Sequence, residues 1–238
     1  MRRLGIHARN HRARWRRSGI IKDRAEAGRE LAEALGEYAG RPDAVVLALP
    51  RGGVPVGAQV AQRLGLPLDV YVVRKLGVPG HAELAMGALA SDGTCVLDRE
   101  MIASLRIDER DVQAVVAREI EEVARRERTF RDERPQAAVT GKSVILVDDG
   151  LATGATMRAA AIALRKRNPA EIVVAVPVAA YRTCEALADV ADRVVCPYTP
   201  EPFVAVGLFY ENFEQTHDDE VRQLLDAAGT RTGQRGPA

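Results

Sequence analysis

Asp148 and Asp149 are adjacent carboxylates set directly after Val144-Ile145-Leu146-Val147, and the turn Gly150-Leu151-Ala152-Thr153-Gly154-Ala155-Thr156 follows them. Four consecutive aliphatic residues are what a strand covered on both faces of a parallel sheet requires. A buried strand that runs into two acids therefore ends in a charged site. Gly150 and Gly154 permit a tight turn, and Thr153 and Thr156 place hydroxyls just ahead of an Ala-rich helical run from Ala155 to Arg165. The first amides of such a helix lack intrahelical acceptors, and the positive end of its dipole points the same way, so the turn suits a phosphate monoester. The carboxylates beside it suit a sugar diol or a hydrated Mg2+ ion. An Asp pair after a strand can also do no more than cap a helix. Capping accounts for neither the second acid nor the Thr-Gly-Ala-Thr that follows.

Two other clusters place charge next to glycine. Pro50-Arg51-Gly52-Gly53 follows the apolar run Ala44 to Leu49, and its adjacent glycines let backbone amides turn toward an anion with no Cβ in the way. An ordinary strand-to-helix turn would need glycine but would have no use for Arg51. Arg74-Lys75-Leu76-Gly77-Val78-Pro79-Gly80 closes the next apolar run with a guanidinium that can bind in two places and a flexible ammonium. A solvated charged loop is the competing reading. His81 and Glu83 lie just beyond and could handle a proton. Gly141-Lys142-Ser143 copies the end of a nucleotide P-loop, but Gln136 stands where that loop has its first glycine, and the triplet precedes its strand. It reads as a turn.

These clusters must be held by alternating elements. Periodicity predicts an amphipathic helix over Lys22 to Tyr38, then strand Ala44 to Leu49, helix Val56 to Leu64 and strand Leu68 to Val73, a right-handed βαβ unit. Val78 to Asp98, rich in glycine and small residues, reads as a loop with short strands. A charged helix from Glu109 to Arg131 leads to the Val144 strand and its helix. A strand Ile172 to Pro177, a helix near Arg182 to Ala188, a strand Arg193 to Cys196 and a loop with a terminal helix up to Asp226 complete the chain. The expected class is α/β, a mostly parallel sheet with helices on both faces and ligands at the carboxyl ends of its strands.

The string from Val144 to Met157 resembles the phosphoribosyl diphosphate (PRPP) motif of the type I phosphoribosyltransferases, and the element order resembles that family's core over roughly Lys22 to Cys196. Uncharacterised bacterial phosphoribosyltransferases look most similar. The resemblance implies a type I core with a small hood from the terminal segments, Mg2+ as cofactor, PRPP and a small heterocyclic base as partners, and a homodimer. It implies transfer of ribose 5-phosphate from PRPP to a nitrogenous base, purine-like by first expectation, with release of pyrophosphate. A PRPP-binding regulator without transfer is the alternative. Carried over by position, Asp148 and Asp149 would be the catalytic acids, holding the ribose hydroxyls directly or Mg2+ through water. Gly150, Ala152, Thr153, Gly154, Ala155 and Thr156 would hold the 5-phosphate, and Arg51, Gly52, Gly53, Arg74 and Lys75 the pyrophosphate. Phe203 and Val204 distantly resemble a base-binding pair in hypoxanthine-type members, where the ring stacks on the purine and the next backbone reads its edge. That group has an Asp where this chain has Phe209, so the identity of the base does not transfer.

At 238 residues, 47% hydrophobic and 28% charged, the chain can bury a full core and suits one domain, expected over 20–227. Residues 1–19 carry Arg2, Arg3, Arg9, Arg12, Arg14, Arg16 and Arg17 and no acid, which reads as a disordered basic extension. Residues 228–238 read as a disordered tail. The basic arm has one aromatic residue, Trp15, and is too short for a DNA-binding module, so nucleic acid is not an expected partner. No apolar run approaches about 18 residues and no secretory signal is visible, so the expectation is a cytoplasmic protein away from membranes. Cys95, Cys184 and Cys196 lack metal-ligand spacing and read as reduced thiols.

Overall fold

The computed structural model describes residues 20–131 and 134–233. Helix α1 (Arg24–Ala34) starts where the Asp23 side chain accepts a hydrogen bond from the Glu26 amide at 2.7 Å. Strand β1 (Ala44–Ala48), helix α2 (Gly53–Leu64) and strand β2 (Leu68–Val70) form the first βαβ unit. Helix α2 begins three residues earlier than its periodicity suggests, because Pro55 sits in the first turn, where no intrahelical acceptor awaits its missing N–H. Strand β6 (Ser143–Val147), helix α5 (Ala155–Arg165), strand β7 (Glu171–Ala175), helix α6 (Tyr181–Leu187) and strand β8 (Arg193–Val195) extend the sheet. Its order is β2-β1-β6-β7-β8 and every pairing is parallel.

The two central strands explain the apolar runs. All five residues of β1 and of β6 are buried. Val144 and Leu146 join a core with Met157, Ala160 and Leu164 of α5, while Ile145 and Val147 share one with Leu31 of α1, Leu35 just after it, and Val56 and Val60 of α2. Each such aliphatic side chain contributes roughly 1.5–3 kcal/mol of burial, which fixes the register Val46↔Ile145↔Val173 and with it the height at which the strands end. Because β1 and β6 are neighbours, their terminal turns must lie side by side.

The segment after β2 departs from expectation. Leu68 to Val73 is not one strand: the chain leaves the parallel sheet after Val70, and Val73–Val78 is a separate strand, β3, of a second, antiparallel sheet. In that sheet β3 pairs with β4 (His81–Ala90) and β4 with β5 (Cys95–Leu97), so the stretch expected as a loop with short strands carries a ten-residue strand. Arg74 and Lys75 therefore stand within a strand, not in a loop. Small residues hid this sheet from a reading based on β-propensity, yet packing demands them. A Cβ at Gly87 would lie 2.3 Å from the Val96 carbonyl oxygen, and Ala88 and Ala90 are buried in the core that α5 shares. Helix α3 (Arg99–Ser104) and the long helix α4 (Glu109–Arg131) then cover it. Buried Arg131 ties α4 to the edge of the main sheet through Asp69 at 2.7 Å and the Val70 carbonyl at 2.7 Å.

The last helix, α7 (Asp218–Gly233), runs past the expected limit at Ala227, so the start of the predicted tail is helical. The rest of that tail and the basic extension lie outside the described residues. The terminal segments meet as a cover: Ile21 pairs with Tyr210, and the Glu211 and Asn212 amides donate to the carbonyls of Ile21 and Lys22. Among the described residues no helix is long and apolar enough to cross a membrane. The turn Gly141-Lys142 does precede β6, with Gly141 in the left-handed region at φ 70°.

Candidate active site

The ends of β1 and β6 touch through glycine. A Cβ on Gly52 would lie 2.0 Å from Asp149 Oδ2, and one on Gly53 would lie 2.7 Å from the Val147 carbonyl oxygen and 2.9 Å from Asp148 Cα. Any side chain at either position would fill the space between the Pro50-Arg51-Gly52-Gly53 turn and the acid pair. The peptide between Pro50 and Arg51 is cis.

Asp148 and Asp149 are held differently. One oxygen of Asp148, Oδ1, accepts from the Asp149 amide at 2.8 Å. Asp149 Oδ2 accepts from Arg24 Nε at 2.8 Å, and the Tyr210 hydroxyl donates to the Asp149 carbonyl at 2.6 Å. Burial pushes the Asp148 carboxyl well above the usual carboxylate range, and the charge of Asp149 pushes it further. Burial also raises Asp149, with the Arg24 guanidinium opposing it. Tyr210 is raised by burial and by the nearby Asp149 charge. Asp148 Oδ2 and Asp149 Oδ1 are the oxygens that no hydrogen bond among the described residues occupies.

The turn that follows is pinned by its neighbours. Leu151 anchors it to the sheet by donating its amide to Val178 at 3.0 Å, and Thr183 of α6 donates its hydroxyl to the Ala152 carbonyl at 2.6 Å. Gly154 takes φ 67°, and a Cβ there would lie 2.6 Å from Thr183 Cγ2, so glycine is required twice over. Helix α5 starts from this residue with no side-chain cap. Ala152, Thr153 and Thr156 are exposed around the open amides. A helix N-terminus that Gly154 cannot cap, with the Thr153 hydroxyl accepting from the Ala155 amide at 3.4 Å and the Thr156 hydroxyl nearby, is suited to a phosphate group.

The donor set also fits Mg2+. Among the described residues no group of three or more His, Cys, Asp or Glu side chains converges to cage a metal. Mg2+ needs no such cage: it keeps several waters and binds through one or two carboxylates plus substrate phosphates. Two hard oxygen donors next to a phosphate cradle match an ion that arrives with a phosphorylated ligand.

The remaining predicted residues divide into those the fold brings in and those it turns away. Arg74, Lys75, Pro50 and Thr156 line one cavity of about 650 Å3 together with Arg118 and Arg126 of α4. Within it, Arg74 Nε pairs with Glu119 Oε2 at 2.8 Å, and the Glu119 side chain is only 9% exposed. The Arg51 guanidinium points elsewhere, pairing with Asp218 at the start of α7 at 2.7 Å. Phe203 is half-buried, stacks on Phe209 with ring centroids 5.1 Å apart and lines an open groove of about 540 Å3 with Ala180, Tyr181, Arg182 and Pro200. Val204 is 72% exposed. The segment still reaches the acids, since a Cβ on Gly150 would lie 2.5 Å from Val206 Cγ1. His81 is exposed where the β3–β4 hairpin turns, and the Glu83 side chain lies outside the described residues.

Sequence reasoning missed Arg24, Glu119 and the hydroxyl of Tyr210. For Arg24 a signal existed. A cation in the first turn of a helix opposes the dipole, so a partner elsewhere had to hold it.

A family model described as a phosphoribosyl transferase domain matches residues 18–210, which contain both glycine turns and the acid pair. Two Mycobacterium tuberculosis proteins, from strains CDC 1551 / Oshkosh and ATCC 25618 / H37Rv, are provisionally named phosphoribosyl transferases. Each is 46% identical over 209 residues, covering 88% of this chain and 47% of the relative. The chain thus spans about half the length of the curated relatives it matches. The crystal structure of TT1426 from Thermus thermophilus superposes with a TM-score of 0.79 at 42% identity, over 87% of this chain and 97% of that one. With that family model matched over residues 18–210, this chain belongs to the phosphoribosyltransferases.

Proposed function

We propose that the protein transfers ribose 5-phosphate from PRPP to a nitrogenous base, purine-like by preference, with Mg2+ as cofactor and pyrophosphate as the second product. One observation carries this reading: the carboxylates of Asp148 and Asp149 lie against the Gly52-Gly53 turn, and the chain runs straight on from them to the start of α5, so the acids join the two glycine turns as the ribose joins the pyrophosphate and the 5-phosphate of PRPP. In the reaction the bond from C1 to the pyrophosphate oxygen breaks, C1 gains oxocarbenium character, and the base nitrogen closes the new bond. The protein's part is positioning and placement of charge. Gly150, Ala152, Thr153, Gly154, Ala155 and Thr156 hold the 5-phosphate, and the two acids receive the ribose hydroxyls. Bound Mg2+ would supply charge neutralisation on the pyrophosphate oxygens. Arg51, Gly52, Gly53, Arg74 and Lys75 take the pyrophosphate end, for which Arg74 must exchange Glu119, and Arg51 must exchange Asp218, for ligand oxygens. Phe203 offers a stacking face to the base, and the Val204 backbone its edge.

The test is direct. The protein is incubated with Mg2+, PRPP and a panel of purines, pyrimidines and pyridine carboxylates, and both pyrophosphate and nucleotide are measured. Turnover with one class identifies the acceptor; PRPP binding with no turnover on any base supports the regulator instead. Phe203→Ala raises KM for the accepted base by roughly fivefold to tenfold, the worth of about 1 kcal/mol of stacking beyond burial, and leaves KM for PRPP near wild type. Equal changes in both constants would place the ring in the core.

The catalytic unit is proposed to be residues 20–227, assembled as a cytoplasmic homodimer, with the basic extension dispensable. Deleting 1–19 leaves thermal stability and PRPP affinity unchanged, because Ile21, which pairs with Tyr210, is retained. Loss of a tight, salt-sensitive association with DNA or RNA on deletion would assign that arm a function.

A further inference from the structure

We propose that Arg24 is a positioning residue for the ribose of PRPP, acting by fixing the carboxylate of Asp149; the inference rests on the function proposed above. Arg24 opens α1, far in sequence from the acids, yet its Nε lies 2.8 Å from Asp149 Oδ2 and both side chains are nearly closed off from solvent, at 13% and 14% exposure. The guanidinium is itself seated on two sides. It donates to the Glu214 carbonyl at 2.7 Å and lies 4.0 Å from the centroid of the Phe213 ring. Phe213 packs on Tyr210 at 4.9 Å, and the Tyr210 hydroxyl returns to the Asp149 carbonyl. Arg24, Asp149, Tyr210 and Phe213 thus form a closed ring of contacts around one carboxylate.

Gly52 closes on the same oxygen: a Cβ there would lie 2.0 Å from Oδ2 and 3.3 Å from Oδ1, so not even a methyl group would fit. Asp149 therefore has one orientation, in which Oδ2 is spoken for and Oδ1 is left for a ligand. A carboxylate held in a single pose loses no side-chain entropy when it accepts a hydroxyl, and this is how a residue with no contact to the substrate can strengthen its binding. Two other roles are physically possible for such a pair. Arg24 could block the ribose position until ligand displaces it, or it could merely staple the N-terminal helix to the 206–214 segment.

Binding of three ligands to Arg24→Gln and Arg24→Lys separates these roles: Mg2+-PRPP, ribose 5-phosphate and pyrophosphate, each by calorimetry. For positioning, Arg24→Gln weakens PRPP and ribose 5-phosphate together, on the order of tenfold to hundredfold as for loss of a charge-assisted hydrogen bond, and leaves pyrophosphate affinity unchanged. In the assay KM for PRPP rises while kcat changes little. Arg24→Lys keeps the charge without the planar fork and restores part of the ribose affinity, and it also carries the test should the Gln variant not fold. Tighter PRPP binding by Arg24→Gln would mean a blocking residue. Equal loss for all three ligands, or unchanged binding with a lowered melting temperature, would mean a staple; either overturns the inference. A wild-type chain that binds none of the three overturns the parent reading and this inference with it.

Discussion

Asp148→Asn, alone or combined with Asp149→Asn, abolishes Mg2+-PRPP binding in a chain that stays folded, and the single variant melts at a higher temperature than wild type at neutral pH. Burial and the neighbouring charge of Asp149 hold the Asp148 carboxyl well above its value in an unfolded chain, about 3.9. Between that value and the raised native one the folded state binds more protons than the unfolded state, so wild-type stability falls as pH rises through the window. An asparagine side chain at this position carries no charge to bury, and its oxygen can still accept from the Asp149 amide. The stability gained by the variant is therefore absent below about pH 3.9, grows through the window and is complete once the pH passes the raised native value. Asp149→Asn adds no comparable gain, because it removes the charge partner of the largely buried Arg24 guanidinium. Binding moves the opposite way: losing charged acceptors for two ribose hydroxyls costs on the order of a hundredfold or more in affinity. Thermal melts across pH, paired with calorimetry at neutral pH, check both parts. Undiminished Mg2+-PRPP affinity in a folded double variant would remove the acids from the site.

The acid pair and its turn were legible because several independent demands fall on one short stretch. A strand buried on both faces fills 144–147 with aliphatic residues before Asp148, a left-handed turn admits little but glycine at 154, and a phosphate site would want hydroxyls at 153 and 156. The neighbouring turn could be read for the same reason, since Gly52 and Gly53 are set by close approach of backbone to acid. The antiparallel sheet was not legible. Gly87, Ala88 and Ala90 are chosen for what packs on them, by the Val96 backbone and by α5, and nothing local announces a neighbour distant in sequence. Long-range ion pairs failed in the same way. Arg51 and Arg74 looked free for an anion, but each meets an acid from a helix remote in the chain, Asp218 and Glu119. Their composition carried the charge, and only the fold decides what the charge faces before a ligand arrives.

Gly53→Ala lowers the melting temperature by several degrees and removes PRPP binding, whereas Gly36→Ala, which also adds one methyl group, does neither. The difference lies in what the new Cβ meets. At Gly53 it meets the Val147 carbonyl oxygen at 2.7 Å and Asp148 Cα at 2.9 Å, both backbone atoms at the end of a central parallel strand. Neither can rotate away, so the turn after β1 must lift off β6, at a cost of roughly 1–3 kcal/mol for overpacking and about 2–4 °C in melting temperature per kcal/mol in a chain of this size. The same displacement separates the pyrophosphate turn from the acids. At Gly36 nothing lies within 4 Å, and the backbone is not in the left-handed region, so alanine is tolerated and slightly favoured through the unfolded chain. Gly52→Ala falls between the two. Its Cβ meets the tip of Asp149 at 2.0 Å, and that carboxylate can swing aside only by releasing Arg24. Stability then falls, by less than in Gly53→Ala, and PRPP affinity falls as it does for Arg24→Gln. Thermal melts and PRPP titrations of the three alanine variants, side by side, decide the matter. A Gly53→Ala protein that melts and binds like Gly36→Ala would show that the ends of β1 and β6 do not close on each other, and the acids and the glycine turn would then not form one site.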